Sequence, residues 1–313
     1  MTAYDVLLYH GVYDTGLQTR PRNRSGKHIP SDRFQAEMRH LAANRAVVSM
    51  ADIADAYAGR KTLPAGAVAV TFDDGFLNNY QSAWPILEEF GVPATIYIAT
   101  GYIGTGRMIW SDQLETSILD TDQSHLDIAV AGQSFYYPLD SSAGRVAAFL
   151  DIKTRCKALP NEDKDRVVRA VTDTLGHGSS GDHPLYAFMN WDQVREMNRS
   201  PLISFGAHTI DHISLAKVPL PEMHRQIDES VSHLARMIDE PSPFFSYPEG
   251  QAGDYNDSVI AYLKQRGFDH CPTAIEGSNT IEDVGPFHIR RIMVGFEGRP
   301  YPFASVEELG YKA

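Results

Sequence analysis

The feature that most constrains this chain is a repeated strand–helix–strand rhythm with strands apolar from end to end. Ala67–Phe72 is a continuous apolar run with two valines, suited to a strand buried on both faces. It breaks at Asp73-Asp74-Gly75, and a helix is predicted from Asn79 to Phe90, closed by Gly91 and Pro93. Ala94–Ala99 then resumes as a strand. Strands of this kind alternating with helices imply parallel βα units. Upstream, Asp5–Tyr9 reads as a first strand. Ser31–Asn44 reads as a helix with Phe34, Met38 and Leu41 on one face and Ser31 as its N-cap.

Between Gly101 and about Gly181 the rhythm stops. A hairpin over Leu126–Tyr137 and helical stretches at 145–159 and 162–175 form an insertion at about 103–190. The rhythm returns with a helix at Trp191–Asn198, a strand at Leu202–Gly206 and a helix over Pro221–Ile238. Met223, Ile227, Val231, Leu234 and Ile238 line one side of that last helix. A strand (Phe244–Tyr247), a helix (Tyr255–Arg266) and a strand (Phe268–Thr273) follow. About seven βα units result. The expectation is an α/β fold, a distorted (β/α)7 barrel with a mostly helical insertion, spanning 1–313 as one barrel domain.

The bulk numbers exclude some functions. Lys+Arg 28 against Asp+Glu 40 leaves a net charge of -12, which repels phosphate backbones and argues against nucleic acid. No apolar stretch is long enough to insert into a membrane, and the opening MTAYDVLLYHG lacks the apolar run of a secretory signal. Cys156 and Cys271 lack paired metal spacing and read as reduced thiols. These readings together give a cytoplasmic expectation. They assign no oligomeric state.

Chemistry concentrates where strands end. Asp73 and Asp74 fall at the C-terminal end of a buried strand, where βα barrels place catalytic groups. On an extended backbone adjacent carboxylates point to opposite sides and take different tasks. His208 and His212 follow the Leu202–Gly206 strand at a spacing that faces both imidazoles the same way on a helical turn. Two histidines and one carboxylate make three protein ligands, the set of a catalytic cation site. A divalent ion there acidifies water, and a neighbouring carboxylate accepts its proton, which is the chemistry of amide hydrolysis.

Thr71–Gly75 (TFDDG), Gly206–His212 (GAHTIDH) and Phe245–Gly250 (FSYPEG), in that order, resemble the NodB-type polysaccharide deacetylases, carbohydrate esterase family four. Weaker echoes stand at Leu8-Tyr9-His10 and Arg291–Val294, so the resemblance runs over most of the chain outside the insertion. It implies Asp73 as general base and Asp74, His208 and His212 as ligands of one divalent metal, zinc foremost, with cobalt, nickel or iron accepted by the same donors. It also implies release of acetate from an N-acetylated sugar or sugar-carrier substrate. Absence of an export signal shifts that substrate toward a surface-polysaccharide or lipopolysaccharide precursor. A metal-dependent amidase on a non-sugar amide and a catalytically silent glycan-binding protein are the rival readings.

The third motif departs from the family pattern. Ser246 stands where many relatives carry an arginine that orients the base, and Glu249 where they carry a tyrosine. Glu249 still offers a backbone N–H to an oxyanion, with Tyr247 and Pro248 beside it in the substrate-binding loop. Arg291 is a candidate replacement for the missing cation and a candidate substrate contact, with a surface arginine as the alternative. For the catalytic acid, His10 is favoured over His288 because it follows the first strand. His270 reads as a core or rim histidine. Trp110 and Asp112 are candidate sugar contacts, and a packed tryptophan with a solvent-facing carboxylate is the alternative. Arg20, Arg22 and Arg24 lie in a basic loop that reads as solvated or as a phosphate contact.

Overall fold

The computed structural model of the protein describes residues 3–19, 22–176, 183–239 and 243–296. The main sheet begins with β1 (Ala3–Tyr9), whose chain continues through two short strands paired with each other, β2 (Gly11–Tyr13) and β3 (His28–Pro30). Helix α1 (Ser31–Asn44), β4 (Ala46–Val47) and α2 (Met50–Tyr57) lead to β5 (Ala67–Asp74), in which every residue is buried. A π-helical turn at Asn79–Ala83 runs into α3 (Trp84–Phe90), followed by β6 (Ala94–Ile98). Gly91 at φ 64° ends α3 in the left-handed conformation that glycine adopts without cost.

The chain divides into two compact units, 1–17 with 25–105 and 188–313, and 18–24 with 106–187. The second holds α4 (Trp110–Asp120), the antiparallel hairpin β7 (His125–Val130) and β8 (Gln133–Pro138), α5 (Ser142–Ala158) and α6 (Asn161–Leu175). The hairpin turns through Ala131 and Gly132, both at positive φ, the tight turn that matches strand twist. The first unit resumes with α7 (Trp191–Met197), β9 (Ile203–Ala207), α8 (Leu220–Met237), α9 (Asp257–Gln265), β10 (Asn279–Thr280) and β11 (Ile292–Met293).

The central sheet has the order β10-β1-β5-β6-β9, with β4 also on β5 and β11 also on β1. All of these pairs are parallel except β1 with β10. Among the described residues this is an α/β arrangement whose ladder shows no closure into the expected distorted (β/α)7 barrel. The two late strands expected at 244–247 and 268–273 are reduced to single parallel bridges: Ala207 with Phe245, Phe244 with His270, and Pro272 with Ile289. Pro243 and Pro248 bound the first segment and Pro272 lies in the second, and none of them supplies an N–H to a ladder.

Two further boundaries differ from expectation. β5 runs through both aspartates instead of stopping at Phe72. Ser31 is the first helical residue rather than the cap: Pro30 occupies the cap position with extended backbone, and the Ser31 hydroxyl receives the Thr15 N–H at 3.3 Å. Apolar faces of α1, α3 and α8 cover one side of the sheet through Phe34, Met38, Leu87, Ile227 and Leu234, all buried in one core with Val70, Phe72 and Ile96. This packing fixes where β5, β6 and β9 end, and those ends carry the polar cluster.

Candidate metal centre

Asp74, His208 and His212 converge. One ligand atom from each lies within 4.8 Å of the others, and all three residues are buried. His212 Nε2 is 3.2 Å from Asp74 Oδ1, and His208 Nε2 is 3.8 Å from the same oxygen. That oxygen is buried without a hydrogen bond. His208 Nδ1 lies 2.8 Å from the Ser246 carbonyl oxygen; donating to that carbonyl leaves Nε2 with its lone pair toward the cluster. Two imidazoles and a carboxylate oxygen facing one point fit a divalent cation of the zinc type.

Backbone geometry makes this convergence possible. Of the six described non-glycine residues with positive φ, four lie in the three motifs: Asp74 (75°), Thr209 (63°), His212 (49°) and Glu249 (61°). Such conformations cost about 1–3 kcal/mol each and persist where surrounding contacts impose them. Residues 208–212 form an irregular turn, not the helical turn expected from the spacing. The left-handed residues bring the two rings to a centroid separation of 5.0 Å. At Asp74 the positive φ also breaks strand alternation. Asp73 Oδ2 and Asp74 Oδ1 therefore lie 3.9 and 3.8 Å from one imidazole nitrogen, His208 Nε2, instead of facing apart. Gly75 at φ 93° follows, and a Cβ there would sit 2.8 Å from Ile98 Cγ2.

Asp73 is held by Arg291. The guanidinium, fully buried, donates from Nη1 to Asp73 Oδ1 at 2.8 Å and from Nη2 to Oδ2 at 2.6 Å. Its other donors reach the Thr273 carbonyl at 2.6 Å, Thr71 Oγ1 at 3.3 Å and Ser246 Oγ at 2.9 Å. All five N–H groups thus have protein acceptors, which rules out the expectation of Arg291 as a substrate contact. It orients the carboxylate instead, and Ser246 acts as its hydrogen-bond partner. Burial works to raise the Asp73 pKa, but the charge and hydrogen bonds of Arg291 hold it below the usual carboxylate range. Asp74 is likewise lowered: burial opposes this, and the His212 imidazole outweighs it. His208 is kept neutral, chiefly by burial.

His10 sits between β1 and β2 with its ring 5.1 Å from Phe296 and its Nδ1 buried without a partner. Burial lowers its pKa to about 4 against the opposing pull of Asp74 and Asp73. His288 is exposed on a 3-10 turn and meets the Tyr255 hydroxyl at 3.2 Å. Tyr247 is buried, stacked on Tyr255 at 4.2 Å, and its hydroxyl donates to the Phe287 carbonyl, so its side chain is a packing element. Pro248 is buried beside it, and Glu249 is half-buried.

Trp110 and Asp112 belong to the second unit. Trp110 is buried at the start of α4 with the Lys164 ammonium 5.5 Å from its ring, and Asp112 is buried, not solvent-facing. In the same unit Arg22 pairs with Asp120 at 2.6 Å, and the Arg24 backbone N–H is held by Glu115. Arg20 lies outside the described residues. Sequence reasoning passed over Lys27. Its ammonium lies 4.7 Å from the Phe76 ring centroid, and its charge acts on both His10 and Asp74.

With fold and site in place, comparison supplies the family. The sequence matches the family described as polysaccharide deacetylase over residues 60–130 and 140–271. This chain belongs to that family. YxkH of Bacillus subtilis (strain 168), named as a polysaccharide deacetylase, is 29% identical over 111 residues, 35% of this chain and 37% of that protein. The poly-beta-1,6-N-acetyl-D-glucosamine N-deacetylase of Escherichia coli (strain K12) is 49% identical over 47 residues, 15% of this chain and 7% of that one. The matched regions thus span well under half the length of these relatives.

Solved structures share the fold. The Streptococcus pyogenes deacetylase PplD in complex with acetate aligns at TM-score 0.60 and 15% identity, over 94% of this chain and 92% of that one. A de-N-acetylase from Aggregatibacter actinomycetemcomitans aligns at 0.57 and 22% identity, over 98% and 99%.

Proposed function

We propose that this protein is a metal-dependent carbohydrate N-deacetylase, a hydrolase that removes the acetyl group from an amino sugar of a surface-polysaccharide or lipopolysaccharide precursor. The observation that carries the reading is the placement of a three-donor cation site beside a separate, arginine-clamped carboxylate. Asp74, His208 and His212 would hold the ion, with zinc as the proposed metal. When bound, such an ion polarises a carbonyl and acidifies water toward a pKa of ~7.

Asp73 is the proposed general base. Arg291 keeps it ionised and fixes both of its oxygens, so its position does not depend on the metal. The Glu249 backbone N–H is the proposed oxyanion donor. His10 is the proposed acid in preference to His288, because the charges of Asp73 and Asp74 act on it. As a neutral imidazole at pH 7, it would pass to the leaving amine the proton taken up at Asp73.

The parallel bridges after β9 support a finer reading of the fold, in which they complete a distorted barrel of seven segments back to β1. Cytoplasmic location is part of the proposal, and the free thiols Cys156 and Cys271 are compatible with it. A metal-replete assay of acetate release over candidate N-acetyl sugars, with mass spectrometry for loss of one acetyl group, tests the function. Turnover of non-sugar amides alone would favour the amidase reading. Glycan binding without acetate release would favour the silent one.

A further inference from the structure

The His208–His212 turn has its polar backbone answered from two sides. On one side the segment after β6 takes its carbonyls: Thr100 N–H donates to Thr209 O at 3.1 Å and Gly101 N–H to Ile210 O at 3.0 Å. A Cβ on Gly101 would lie 2.7 Å from that Ile210 oxygen, so this approach requires glycine. On the other side stands Gln226 of α8, which is 1% exposed on a face otherwise built of Met223, Ile227, Ser230 and Leu234.

Its Oε1 accepts two successive backbone N–H groups, Ile210 at 3.1 Å and Asp211 at 3.0 Å. Its Nε2 donates to Asp211 Oδ2 at 2.8 Å and to Glu222 Oε1 at 3.0 Å. Both amide ends are therefore used. A turn with left-handed residues at Thr209 and His212 cannot satisfy these N–H groups through helical bonds, and a buried unpaired N–H is costly.

We propose that Gln226 is a positioning residue for the metal centre: its buried amide holds the 208–212 turn in the strained shape that aims both imidazoles at Asp74. The inference rests on the metal-centre reading above. Gln226 touches neither ligand side chain nor substrate, and it acts through the backbone between the two histidines. Groups that hold ligands in place commonly tune affinity 10–100-fold when removed.

The test is metal affinity of the chelator-stripped full chain for zinc, by competition with a chromophoric chelator, beside thermal unfolding of the metal-free protein. Gln226→Met keeps length and removes all four hydrogen bonds. It is expected to weaken zinc binding ~10–100-fold and to alter the visible spectrum of the cobalt form. Gln226→Glu places a carboxylate against Asp211 and is expected to weaken zinc binding as well. Because that carboxylate also meets Glu222, the triple variant Gln226→Glu with Asp211→Asn and Glu222→Gln restores the acceptor for the N–H groups and supplies a donor from each former carboxylate, and is expected to recover affinity.

This triple variant also covers a Met variant that fails to fold. Unchanged zinc affinity and cobalt spectrum in a folded Gln226→Met protein, with only its melting temperature lowered, would overturn the proposal. A folded triple variant that binds no better than Gln226→Glu would overturn it too. If the parent chain itself binds no zinc at one ion per chain, the metal-centre reading fails, and the inference goes with it.

Discussion

The two carboxylates at the end of β5 are held in opposite ways. Asp73 lies within a regular strand, and a single guanidinium clamps both of its oxygens while every donor of that guanidinium is used. Asp74 stands one residue on at φ 75°, its Oδ1 without a hydrogen bond, facing two imidazoles carried by a turn that is itself strained. Asp73 is fixed by complete internal satisfaction, whereas Asp74 Oδ1 is left to face the two imidazole nitrogens, the arrangement that a cation would complete. Side by side, they show how neighbours of identical chemistry acquire different tasks.

The contrast breaks most severely at Asp73. Asp73→Asn is expected to lower acetate release by ~10²–10⁴-fold while leaving zinc affinity within a few-fold. Asp74→Asn is expected to abolish zinc binding first and activity with it. Equal loss of metal binding in both variants would erase the distinction. Next in size is Arg291→Met, which leaves a buried carboxylate without its counter-ion. A loss of about 3–5 kcal/mol in denaturant unfolding at pH 7 is expected.

His270 gives a control remote from this contrast, with both ring nitrogens buried and unpartnered and a pKa lowered to about 4 by burial. Between that value and the ordinary 6.5 the unfolded chain binds a proton that the folded chain refuses. Its penalty is therefore absent above pH 6.5 and grows as pH falls toward 4, reaching about 3 kcal/mol. His270→Leu should flatten that part of the stability–pH curve, measured by urea unfolding at several pH values. The smallest effect sharpens the comparison from the strained side. Thr209→Gly relieves a β-branched residue at φ 63° and should raise metal-free stability by about 1 kcal/mol while weakening zinc binding.

Much of this was legible in one dimension. Periodicity gives α1, α5 to α9 and β5, β6 and β9 with ends near those observed, because long periodic apolar patterns have one way to be buried, whereas α4 inside the insertion was not anticipated. Asp74, His208 and His212 are legible as ligands because each follows a strand end. The tail of the fold was less readable. Segments near 244–247 and 268–273 have strand-like composition, but they are short, bounded or interrupted by proline, and form only isolated bridges. Arg291 shows the same limit at the site, since it lies 218 residues from Asp73 and no local pattern pairs them. Gln226 was hidden because a polar residue on an apolar helix face reads as an imperfection until its partners are seen.

The sequence by itself determined the sheet-building units and the candidate carboxylates and imidazoles at the strand ends, since these follow from residue type and periodicity over short spans, while the division of roles among them rested on the resemblance to the family. Tertiary structure decided what turns them into a site. It replaced the absent motif arginine with Arg291, gave Ser246 a partner, and imposed left-handed backbone on Asp74, Thr209 and His212. Those choices depend on contacts between distant segments, whose combined packing outweighs the local preference of each residue.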